Sequence, residues 1–167
     1  VTNFGDETLG TTAYTYSPDD IIIRKFTSFP GGDVSSVSIC MKRASLDGNF
    51  RAIIYSDNAG EPGNLLWKSE QHGLVGGDTL SAFHTLNKFG GGSTTIAAQT
   101  LWIGWWLGVA ANWYDKGGAG DCRYLGCAYS STGDSTTPWD TATDEAVSND
   151  LRVYLTYTVS GFTGLTV

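Results

Sequence analysis

The chain has 167 residues, enough to bury a substantial core and short enough that one domain, residues 1–167, is the expectation. Hydrophobic residues make up 41% and charged residues 16%, too apolar for disorder and too sparsely charged for a helical protein laced with ion pairs. Seventeen acidic residues against 10 lysines and arginines leave a net charge of −7, a field that repels phosphate backbones and anionic lipid and argues against nucleic acid as a partner.

The 22 glycines, set among Thr, Ser, Val, Ile and aromatic residues, favour short strands joined by turns. In chain order, strands are predicted over 11–16, 21–29 ("IIIRKFTSF"), 34–43 ("VSSVSICMKR") and 49–56 ("NFRAIIYS"). Further strands follow over 65–69, 79–86, 100–107 ("TLWIGWWL"), 110–115, 122–130 and 151–159 ("LRVYLTYTV"). Val37, Ile39 and Met41 share one face of their strand, with Ser36, Ser38 and Cys40 on the other. In the last strand Leu151, Val153, Leu155 and Tyr157 alternate with Arg152, Tyr154, Thr156 and Thr158, the pattern of a sheet packed on one side. Asp47-Gly48 reads as a hairpin signal, and Pro62-Gly63 as the start of a second turn. Residues 88–95 ("KFGGGSTT") read as a loop, 140–150 as at most one helical turn, and 1–10 and 160–167 as terminal extensions. Ten strands at this spacing predict an all-β, two-sheet antiparallel β-sandwich of jelly-roll-like form. No apolar run approaches the ~20 residues of a spanning helix, so no membrane insertion is expected. Val1 opens the chain without a secretion signal, which reads as a processed or partial sequence.

Cys122 and Cys127 have four residues between them. With no second cysteine pair or close histidine, a small disulfide is preferred to half a zinc site, and it points to an oxidising, extracellular compartment. Asp57, Asn58 and Glu61 supply either tight-turn chemistry or oxygen ligands for a structural calcium ion. No nucleophile elbow, phosphate loop or dinucleotide fingerprint is present, and neither His72 nor His84 carries a motif, so no catalytic centre and no required cofactor are expected.

Within "LWIGWWLG", Leu101, Ile103, Trp105 and Leu107 share a face that reads as core. Trp102 and Trp106 share the other face, about 13 Å apart beside open glycines. That face reads either as a platform for sugar rings or a neighbouring subunit, or as packing beneath a loop. Trp113, Tyr124 and Trp139 widen the aromatic supply for a ligand.

The segments "FRAIIYSDNAGEPGNLLWKSE", "TLWIGWWL" and "TPWDTATDEAVSNDLRVYLTYT", in this order, resemble a family of secreted β-sandwich modules appended to bacterial and archaeal extracellular proteins, carbohydrate-active enzymes among them. The resemblance covers most of residues 5–158, and here Pro138-Trp139 stands where the family has Trp-Pro. It implies a jelly-roll-like sandwich with a non-catalytic role in glycan binding or surface adhesion. The expected partner is then a polysaccharide or cell-surface glycan. The alternative is copies of the chain itself, assembled into an extracellular filament, surface layer or virion.

Overall fold

The computed structural model describes residues 1–9, 12–44, 46–78, 80–109, 111–115, 121–126, 129, 145–147 and 151–159. In chain order the strands are β1 (Thr2–Gly5), β2 (Thr12–Tyr16), β3 (Asp20–Phe29), β4 (Gly32–Arg43), β5 (Gly48–Asn58), β6 (Glu61–Lys68) and β7 (His72–Leu74). They continue with β8 (Ala82–Asn87), β9 (Thr94–Ile96), β10 (Gln99–Leu107), β11 (Ala111–Asp115), β12 (Cys122–Gly126), β13 (Glu145–Val147) and β14 (Val153–Thr158). Among the described residues there is no helix.

The strands form two antiparallel sheets packed against each other, one of them curled into a half-barrel. The first runs β1-β14-β4-β11-β2, with β8 and β9 also paired to β4; the second runs β13-β12-β3-β10-β5-β6, with β7 on β5. Between them lies the main core. Val37, Ile39 and Met41 of β4 and Val153 and Leu155 of β14 meet Phe50, Ala52 and Ile54 of β5 and Leu101, Ile103 and Trp105 of β10. The alternation in β4 and β14 thus selects the inner face as the sequence predicts. Ser38 and Cys40 on the outer face of β4 are also covered: Ser38 Oγ lies 2.8 Å from Thr85 Oγ1, and Cys40 Sγ 3.2 Å from Ser81 Oγ.

Strand β10 and the first half of β3 are buried on both faces. Ile21, Ile22 and Ile23 are all wholly buried, as is every residue from Leu101 to Leu107. A near-continuous apolar run is what a strand covered on both sides requires. Gly104, at the middle of β10, meets a further demand: a Cβ there would stand 1.9 Å from the Ile22 carbonyl oxygen and 2.7 Å from Ile23 Cα. Only glycine lets β3 approach so closely.

Three predicted features differ, and three short strands were not predicted. Asp47-Gly48 does not turn a hairpin, because β4 and β5 belong to different sheets and the segment crosses between them. The hairpin lies one strand later, where Ala59 (φ 54°) and Gly60 (φ 99°) form a two-residue turn between β5 and β6. Two positive φ values match strand twist in such a turn. Pro62 and Gly63 stand within β6 rather than in a second turn; β6 ends the second sheet's order, and an edge strand tolerates proline's missing donor. Residues 145–147, read as a possible helical turn, form β13 on β12. Strands β1, β7 and β9, at three or four residues each, were too short to show a periodic pattern.

Candidate functional site

The outer face of the second sheet carries Trp102 and Trp106, on the side opposite Ile103 and Trp105. The registers set Trp102 between Lys25 and Tyr55, and Trp106 between Ile21 and Arg51. Together with Ile23, Ile53 and Leu125 they form a second apolar cluster. Both indoles are wholly buried by the chain itself, which corrects the expectation of an open platform. The covering groups explain it. The Tyr129 ring sits 5.1 Å from Trp106, and Lys25 Nζ lies 5.2 Å above the Trp102 ring. Trp102 Nε1–H donates to Asp57 Oδ1 at 3.0 Å, so its polar edge is satisfied internally.

That bond also redirects the acidic hairpin. Asp57 Oδ2 accepts the Gly60 N–H at 3.0 Å, and Lys25 Nζ, 3.8 Å from Asp57 Oδ1, donates to the Gly60 carbonyl at 3.1 Å. Glu61 is ion-paired with Arg123. Asn58 faces Glu61 across the ladder, but two of the three proposed calcium ligands already have cationic partners. Among the described residues no group of three or more His, Cys, Asp or Glu is placed to hold a metal ion.

Tyr124 packs against the main core, and its hydroxyl donates to Asp20 Oδ1 at 2.9 Å. Burial raises the Asp20 carboxyl above its ordinary 3.8, while the bonds from Tyr124 and from the Ser17 N–H oppose that rise. Among the described residues there is no disulfide, and Cys122 is a buried thiol. Cys127 lies outside the described residues. Trp113 lies on β11 opposite Tyr14 and Met41, its side chain outside the described set, as is all of Trp139.

A different surface offers a ligand more room. A groove of about 250 Å³ runs between β6 and the segment leading into β9, lined by Leu65, Leu66, Trp67, Lys68, Lys88 and Phe89, with Thr94 at its end. Phe89 is 43% exposed, which is unusual for a large ring in a chain that buries three tryptophans completely. Lys68 Nζ and Arg51 Cζ lie 4.9 and 5.4 Å from its centroid. Its N–H donates to the Lys68 carbonyl at 2.9 Å, fixing the segment against β6. Gly90, Gly91 and Gly92 follow at φ 76°, 74° and 69°, a left-handed run suited to glycine. Trp67 is 2% exposed, and its Nε1–H has no acceptor among the described residues. The "KFGGG" signal was visible in the sequence but read as slack loop, because the partners of Phe89 come from β5 and β6.

No protein-family model, curated protein or solved structure matches the chain. Fold and site therefore define an all-β protein of two packed antiparallel sheets, with no family identified.

Proposed function

We propose that the protein is a non-catalytic extracellular module that holds an anionic glycan in the Phe89 groove. The observation that carries this reading is an exposed aromatic ring with two lysines in one groove. A sugar ring presents C–H patches to an aromatic face, and lysines attract uronate or sulfate groups at short range. The net charge of −7 opposes such a ligand at a distance, but that repulsion is screened beyond about 8 Å at physiological salt. The extracellular assignment draws on the family resemblance, since the Cys122–Cys127 bridge no longer supports it. Affinity electrophoresis through gels containing alginate or polygalacturonate tests the reading. The parent should be retarded, and Phe89→Ala and Lys88→Ala should each reduce retardation at least fivefold without loss of fold. Unretarded migration of the parent in every acidic polysaccharide would overturn it.

The second reading, a self-assembling subunit, is favoured by β1. This strand ends the first sheet's order with Thr2, Asn3 and Gly5 exposed, and an open edge can accept another chain's strand. Sedimentation velocity across a range of protein concentrations should reveal polymers if this reading holds; a single monomer boundary throughout removes it.

A further inference from the structure

His72 and His84 are the two histidines of the whole chain. They belong to different sheets: His72 opens β7, which pairs with β5, and His84 stands in β8, which pairs with β4. Their rings nonetheless meet, with His72 Nε2 and His84 Nδ1 3.1 Å apart. The other nitrogen of His84, Nε2, donates its hydrogen to the Met41 carbonyl at 3.2 Å. A carbonyl only accepts, so this bond fixes the neutral tautomer and turns the Nδ1 lone pair toward His72. Metal-bound histidines are held by the same device, the second ring N–H resting on a backbone carbonyl. Phe50 packs edge-on against both rings, at 5.3 and 6.0 Å, and limits their swing.

We propose that His72 Nε2 and His84 Nδ1 together bind one divalent transition ion of borderline softness, such as zinc or copper(II), clipping β7 to β8 and so one sheet to the other. Metal–nitrogen bonds of about 2.0–2.1 Å set two neighbouring imidazole ligands about 2.9–3.4 Å apart. The observed 3.1 Å falls in that interval; in the hydrogen-bonded pair the Nδ1 lone pair points along the N···N line, so both rings turn to aim at an ion beside it. Among the described residues no third His, Cys, Asp or Glu completes a set, so solvent fills the remaining positions. Solvent reaches the pair from the His72 side, where a cavity of about 140 Å³ is lined by Glu70, Gln71, His72, Thr85, Leu86 and Asn87. In the free pair His72 Nε2–H donates to His84 Nδ1. On binding, that proton leaves to solvent and His72 Nδ1 takes one up, so both ligands are neutral imidazoles and no net proton is exchanged. Calcium and magnesium, which demand oxygen ligands, are not held.

The test uses the untagged chain at pH 7.5. Copper(II) added at one equivalent should give an electron paramagnetic resonance spectrum with hyperfine structure from two nitrogens. Zinc at tenfold or greater excess over its dissociation constant should raise the melting temperature by about 5 °C, where equal calcium or magnesium does not. The His72→Gln and His84→Gln variants should lose both responses. A parent spectrum without two-nitrogen coupling overturns the proposal, even if a variant fails to fold. So does sulfur coordination, or a zinc shift that persists in the double variant.

Discussion

Asp57 illustrates how one side chain is claimed by competing roles. In the sequence its carboxylate reads first as a turn former and second as a calcium ligand; in the fold it accepts the Trp102 indole N–H and the Gly60 N–H, with Lys25 beside it. Asp57→Ala should therefore destabilise the protein by about 2 kcal/mol, because it leaves a buried indole donor without a partner. Urea denaturation measures this, and chelator should leave the parent unchanged; a calcium-dependent rise in melting temperature lost in Asp57→Ala would restore the metal reading. Gly104→Ala probes packing with no side-chain chemistry involved. Its new Cβ would collide with backbone atoms of β3, which cannot step aside as a side chain can. A loss of about 3 kcal/mol or more is expected in the same measurement, and a loss below about 1 kcal/mol would refute the close approach.

Among the elements, β1 and β14 show how an edge is tied down. Thr2 to Gly5 pair with Tyr157 to Tyr154, and beyond the strand Asp6 binds Arg152, a guanidinium only 2% exposed. Burial alone would raise the Asp6 carboxyl, but the Thr8 side-chain and backbone bonds and the charges of Arg152 and Arg24 together hold it below the ordinary 3.8. A depressed carboxylate contributes stability in full above the unfolded-state value and loses it as pH falls through the folded-state value. Protection factors of the β1 amides should thus fall only below about pH 4, and Asp6→Asn should lower them already at neutral pH; a transition centred above pH 5 would contradict the pairing. The long strands were legible because Val37/Ile39/Met41 and Val153/Leu155/Tyr157 alternate cleanly. Short strands such as β1 and β7 were not, since three or four residues carry no period. Nor was the crossing at Asp47-Gly48, because a turn signal does not say which sheet the next strand joins.

At the scale of the whole molecule, the middle of the second sheet is covered on both faces, and this limits where a ligand can go. "III" and "LWIGWWL" already carry the signature of double burial, yet alternation within the second run suggested an open face. What closes that face, Tyr129 over Trp106 and Lys25 with Asp57 over Trp102, comes from positions distant in the chain. The Phe89 groove was equally hidden, since Lys68 and Lys88 are twenty positions apart in the sequence. The two indoles are interior, and on the proposed reading the groove binds the ligand instead. Nitrogen–proton correlation spectra recorded during titration with a uronic acid oligosaccharide test it most directly, because backbone amides and indole N–H groups report in one experiment. Shifts should concentrate at residues 65–68 and 88–94, with the Trp102 and Trp106 indole peaks unmoved. Indole shifts at Trp102 and Trp106 with a silent groove would contradict it.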